Sequence, residues 1–267
     1  MLKIDQIGNS QVSYYDNLNQ RDPTLLFIHG NSSSHQVFKY QIDDELLSKT
    51  FRIIAIDLPG HYNSKPFKNP LDYCLEGYTK VISDLFDKLG LKESNTTLVG
   101  HSLGGHIAIE ILPLLKNLNG IVIFQAPPIN SLDTIGKAFP DILDGIPYQS
   151  VVSSSELESY VNCLTIKDQT LFKQWFKETD SNARLYLGQS VARQQFGDEI
   201  AIWNSFRGKK AIFHGSDDKL VNLDYLKSLK LNGLWRDDIV KIPHSTHSPC
   251  YESPEVFNEL LISFLIP

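Results

Sequence analysis

The sequence predicts an α/β chain with a mostly parallel central sheet, helices on both faces and a helical insertion, and three observations predict it. Continuous apolar, β-branched runs alternate with stretches whose apolar residues fall at helical intervals, the pattern of a sheet buried on both faces. One such run, Thr96-Thr97-Leu98-Val99, passes through Gly100-His101-Ser102-Leu103-Gly104 straight into a helical pattern, which sets Ser102 on a strand-to-helix turn. From residue 129 to about 208 the alternation stops, and the chain becomes polar and helical in pattern. With 267 residues and 42% hydrophobic content the chain is long enough for one large core with an insertion.

In chain order, residues 2–7 and 12–15 read as short strands either side of Gly8-Asn9, a hairpin-like pair. Residues 24–28 form the first fully buried run and end in His29-Gly30-Asn31. A helix is expected over 36–47, a strand over 51–56 closed by Asp57-Leu58-Pro59-Gly60-His61, and a helix over 73–89. After the Ser102 turn and its helix comes a strand at 120–124. The insertion is placed at 127–208, between core segments 1–126 and 209–267. Within it, Ser155 and Glu158 have capping-box spacing, and Asp168 is expected to cap a helix over 169–177. Strands at 210–214 and 239–242 and a helix over 254–265 complete the core.

The net charge of −6 and the absence of clustered Lys and Arg argue against a nucleic-acid partner. No stretch approaches the length of a membrane span, and the amino terminus lacks a signal-peptide pattern. Three cysteines, Cys74, Cys163 and Cys250, without close spacing fit reduced thiols. The expectation is a soluble cytoplasmic protein, monomer or homodimer, acting on a small molecule.

The chemistry-bearing residues stand at the ends of the expected strands, and in an open α/β sheet these edges converge on one crevice. Ser102 needs a base to take its proton, and the base needs an acid to hold its tautomer. The base is expected to be His247, in Pro243-His244-Ser245-Thr246-His247, with His244 as competitor. The acid is expected in Gly215-Ser216-Asp217-Asp218, where Asp218 has the preferred spacing and Asp217 reads as a turn residue. The order serine, acid, histidine is that of one hydrolase class and not of the chymotrypsin or subtilisin types. An oxyanion hole is expected from the backbone N–H groups of Leu103 and Asn31. His29, His61, His101 and His214 have no metal-ligand spacing, so neither a metal nor a cofactor is expected. Cys250 is an improbable nucleophile because Ser102 already occupies the turn.

Taken together, His29-Gly30, Asp57-Leu58-Pro59-Gly60-His61, Gly100-His101-Ser102-Leu103-Gly104-Gly105 and His247-x-x-x-x-Glu252-x-Pro254 resemble the α/β-hydrolase superfamily over essentially the whole chain. Further stretches, His29-Gly30-Asn31-Ser32-Ser33-Ser34, Leu75-Glu76-Gly77-Tyr78, Gly104-Gly105-His106-Ile107, Ala126-Pro127-Pro128, Glu158-Ser159-Tyr160 and Asn232-Gly233-Leu234-Trp235, resemble the N-acyl-homoserine lactonases of that fold. The resemblance implies an α/β-hydrolase fold with the insertion as a helical cap. It also implies a metal-free lactonase activity, with the residues named above as a catalytic triad and Tyr160 as a substrate contact from the cap. The sequence departs from that group in carrying Asp218 where a Glu stands there, His101 where an aromatic Trp does, and Thr246 before the histidine in place of Gly. His101 is expected on the pocket wall, where it would touch substrate. The alternatives are a carboxylesterase of the same mechanism and a non-catalytic receptor of the same fold.

Overall fold

The structure, a computed structural model, describes residues 1–19, 23–140 and 143–266. Its strands are β1 (Leu2–Ile7), β2 (Ser10–Asp16), β3 (Thr24–Ile28), β4 (Arg52–Ile56), β5 (Thr96–His101), β6 (Gly120–Phe124), β7 (Lys209–Gly215) and β8 (Val240–Ile242). Its helices are α1 (Lys39–Ile42), α2 (Glu45–Thr50), α3 (Leu75–Leu89), α4 (Leu103–Glu110), α5 (Leu132–Ala138), α6 (Ser154–Leu164), α7 (Gln169–Glu178), α8 (Ser181–Ala192), α9 (Glu199–Ser205), α10 (Leu223–Ser228), α11 (Pro249–Glu252) and α12 (Pro254–Leu265). The eight strands form one sheet in the order β1-β2-β4-β3-β5-β6-β7-β8. The pairs β1/β2 and β2/β4 are antiparallel and every other pair is parallel, so β3 to β8 all end at the same edge.

Both faces of the parallel strands are covered, which explains the uninterrupted apolar runs. Alternation divides them: Leu26, Ile28, Ile54, Ile56, Leu98, Ile121, Ile123 and Ile212 face a core shared with α3 and α4. Leu25, Phe27, Ile53, Ala55, Val99, Val122, Phe124, Ala211 and Phe213 face a second core with Phe257, Leu261 and Phe264 of α12. Between β6 and β7 the described residues contain helices α5 to α9 and no strand. Arg184 of α8 ties this polar stretch together from inside, donating to the carbonyls of Gln149, Phe176 and Thr179 while its guanidinium lies over the Phe176 ring.

Several boundaries and caps differ from the expected ones, most of them through local side-chain competition for the backbone. The helix expected over 36–47 is broken in two, because Asp44 leaves helical geometry and accepts the Leu47 N–H as the N-cap of α2. The next helix begins at Leu75 rather than at Tyr73, capped by Cys74 Sγ. The capping box of α6 is Ser153 with Glu156, two residues before the expected pair; Glu158 instead pairs with Lys173. Asp168 precedes α7 in a left-handed conformation, and its carboxylate accepts the Tyr251 hydroxyl instead of capping the helix.

Candidate active site

Ser102 sits between β5 and α4 with φ 51° and ψ −118°, a strained conformation for a residue with a side chain. The turn that imposes it is tight enough to exclude side chains on either side. A Cβ on Gly104 would lie 2.0 Å from the Ile28 carbonyl oxygen, and one on Gly100 would lie 2.4 Å from the Gly104 carbonyl oxygen. The Ser102 N–H is held by the Phe124 carbonyl at 3.0 Å, which fixes the turn against β6.

His247 reaches Ser102 from the loop between β8 and α11. Ser102 Oγ lies 3.0 Å from His247 Nε2, and His247 Nδ1 lies 2.9 Å from Asp218 Oδ2, at the end of β7. With Nδ1–H donating to the carboxylate, Nε2 is the ring's acceptor for the serine proton. Asp218 has no side-chain exposure, and its second oxygen accepts the Leu220 N–H. Asp217 is exposed, and among the described residues its side chain accepts only from Ser216 Oγ. His244 is also exposed, on the far side of the loop, where its N–H donates to Ser216 Oγ. As the first residue of α4, Leu103 has an N–H without an intrahelical acceptor. Asn31 lines the same pocket; its side chain is engaged with the Pro147 carbonyl at 2.8 Å, which leaves its backbone N–H as the group available to a ligand.

The His247 loop is anchored by residues whose role sequence reasoning did not assign. Gln125 Nε2 donates to the Thr246 carbonyl at 2.7 Å. Glu252 accepts both the N–H and the hydroxyl of Thr246, and also the Ile166 N–H from the segment after α6. The Thr246 hydroxyl thus has a structural partner, which accounts for a side chain at that position. Gln125 follows a core strand with positive φ (53°), but nothing in the residue order shows which loop it faces.

His101 does not line the pocket, contrary to expectation. Two residues after Val99 on β5, it shares that residue's face by strand alternation and stacks flat on Phe124, centroids 4.8 Å apart. Its Nε2–H donates to the His247 carbonyl at 2.7 Å, so it braces the loop that carries His247. Tyr160 of α6 does line the pocket, along with Ser102, Leu103, His106 and His247. Its ring stands edge-on to Phe176, and its hydroxyl makes no hydrogen bond to another described residue.

Burial keeps the remaining strand-end histidines neutral. It lowers the His29 pKa well below 6.5, that of His61 to about 4, and that of His101 to about 3, where the neighbouring His247 adds to the effect. Between these values and 6.5 the unfolded chain binds more protons than the folded one, so stability falls as pH drops. The urea midpoint is therefore expected to fall from pH 6.5 to pH 4, with each ring contributing at most about 1.4 kcal/mol per pH unit. A midpoint that is flat over this range would show that these rings protonate in place. Among the described residues no cluster of His, Cys, Asp and Glu could hold a metal ion, and no helix is long and apolar enough to cross a membrane.

Comparison with known proteins gives the same architecture. Residues 25–260 match the model of the alpha/beta hydrolase family. The chain is 25% identical over 261 residues to AB hydrolase superfamily protein YisY of Bacillus subtilis (strain 168), covering 90% of each. Among solved structures, it is similar to N-acyl homoserine lactonase AidH complexed with N-butanoyl homoserine, with TM-score 0.92 and 28% identity over 99% of this chain and 96% of that one. A variant of AidH complexed with N-hexanoyl homoserine lactone superposes at TM-score 0.91 with 27% identity, over 99% and 97% of the two chains.

Proposed function

The chain belongs to the alpha/beta hydrolase family, and from that premise we propose that it opens N-acyl-homoserine lactones with a Ser102-His247-Asp218 triad and thereby degrades quorum signals. The observation that carries this reading is the His247 ring bridging Ser102 and Asp218 on the floor of a pocket that Tyr160 lines. Similarity to a lactonase over nearly the whole chain supports the choice of substrate.

In the proposed reaction His247 Nε2 takes the Ser102 proton as Oγ attacks the ring carbonyl, and the Asp218 carboxylate stabilises the resulting imidazolium. The N–H groups of Asn31 and Leu103 receive the oxyanion. Collapse of the tetrahedral species breaks the ring C–O bond, and the imidazolium returns its proton to the departing alkoxide. The new hydroxyl stays tethered to the acyl-enzyme and competes to re-close the ring. Water activated by His247 then attacks the ester carbonyl, and a second collapse frees Ser102 and releases the N-acyl homoserine. The helical stretch 127–208 acts as a cap, with Tyr160 donating to the exocyclic amide so that the opened arm swings away from Ser102.

The test compares acyl-homoserine lactones with open-chain esters of equal acyl length, in the wild type and in Tyr160→Phe. Wild-type kcat/KM is expected to favour the lactones. The variant is expected to lose lactone kcat/KM by about 5- to 150-fold, in line with ~1 to 3 kcal/mol for an unmade hydrogen bond, while p-nitrophenyl acetate, which has no amide, is scarcely affected. Equal loss on both substrates would make Tyr160 a packing residue, and preference for open-chain esters would replace the lactonase with a carboxylesterase.

A further inference from the structure

The pocket contains a second histidine–carboxylate pair that the hydrolytic mechanism does not use. His106 lies four residues, about one turn, into α4 from Ser102, roughly 6 Å along the helix axis, and lines the pocket among Ile129, Ile135, Phe139, Leu187 and Val191. Its Nδ1 faces both oxygens of Glu199, at 2.9 and 3.0 Å. Glu199 is completely buried, and it also accepts the Ile129 N–H. An acceptor-only carboxylate requires the proton on Nδ1. The opposite edge of the ring, Nε2, makes no hydrogen bond to another described residue and is the polar atom this ring can offer to the pocket. Burial by itself would lower the His106 pKa, but the charge and hydrogen bond of Glu199, with a contribution from Glu110, raise it; the ring faces both oxygens of a fully buried carboxylate, and this ion-pair geometry favours the imidazolium, in which Nε2 is a donor. A polar ring edge among apolar side chains is out of place beside a plain hydrocarbon arm, because burying it without a partner costs free energy that an acceptor would recover.

We propose that His106, oriented by Glu199, selects acyl arms that carry a carbonyl oxygen, so that the preferred substrates are 3-oxoacyl rather than unsubstituted acyl-homoserine lactones. In such a lactone the ketone carbon lies five bonds from the ring carbonyl, about 6 Å when extended, which matches the spacing of one helical turn between Ser102 and His106. The proposal relies on the lactone reading only for the name of the substrate.

The experiment measures kcat/KM for N-(3-oxohexanoyl)- and N-hexanoyl-homoserine lactone in the wild type and in His106→Phe. A parallel pair, methyl 6-oxoheptanoate and methyl heptanoate, places a ketone the same number of bonds from the reacting carbonyl. The expected wild-type preference for the oxo substrate is about tenfold or more, falling to within about twofold in the variant. A purely structural role for His106 would slow both members of a pair and leave their ratio unchanged, which overturns the proposal, as does a wild-type ratio near one. Preference for a 3-hydroxy over a 3-oxo arm would also overturn it, since a carbonyl is the group the proposal selects. If the lactones are not turned over but the esters are, the lactone reading fails while the ester pair still decides the role of His106. His106→Phe leaves the Glu199 carboxylate without its histidine. The double variant H106F/E199Q, whose amide oxygen can still accept the Ile129 N–H, answers the question should the single variant not fold.

Discussion

Ser102→Ala is expected to lower kcat by about six orders of magnitude, the loss seen when a serine nucleophile is removed from a working triad. It is expected to leave the fold in place. The strained backbone at φ 51° is imposed by the turn, and alanine keeps the Cβ that already fits beside Gly30. What disappears is Oγ and its 3.0 Å hydrogen bond to His247 Nε2, both on the pocket floor and not in the core. The melting temperature should therefore move by no more than about 3 °C, the shift corresponding to ~1 kcal/mol in a chain of this size. Residual turnover within tenfold of wild type, in protein with an unchanged melt, would reject the serine mechanism outright.

Asp218→Asn is expected to lower kcat by about four orders of magnitude, because an amide can turn its NH2 toward Nδ1 and stabilise the tautomer that leaves Nε2 protonated and unable to act as base. The substitution removes little from the fold. Asn is isosteric, and its oxygen can still accept the Leu220 N–H that now falls to Oδ1 at 2.8 Å. Asp217→Asn, one residue earlier, should change kcat by no more than about twofold, as expected for an exposed side chain that bonds to its neighbour Ser216. Measuring kcat for both variants on one substrate separates the two carboxylates. A large loss at Asp217 with a small one at Asp218 would mean that the loop rearranges on binding substrate and exchanges their places.

The parts of the site that were legible in the residue order are those governed by short-range rules. Gly100, Ser102 and Gly104 identify the turn because a side chain at either glycine collides with backbone within a few residues or on the adjacent strand. The apolar runs of β3 to β7 mark a sheet covered on both faces whatever covers them. The helix 36–47 and the Ser155/Glu158 box were misplaced for an equally local reason, since Asp44 and Ser153 claim backbone N–H groups that periodicity alone assigns to the helix. The direction of a side chain at a strand end was not legible in the same way. His101 looked like a wall residue by its place beside Ser102, and only its stacking on Phe124 shows that it holds the loop instead.

By itself, then, the sequence determined the sheet, the serine turn, and the order of serine, acid and histidine along the chain, because these depend on steric contacts and periodicities within a few residues. Tertiary structure decided which buried carboxylates support the site. Glu252 joins the His247 loop to Ile166 across 86 positions, and Glu199 finds His106 across 93. Contacts of that range depend on how β7, the helices after β6 and α4 converge at one sheet edge. Polar side chains buried there must find partners wherever the fold brings them, and no local pattern in the chain records who those partners are.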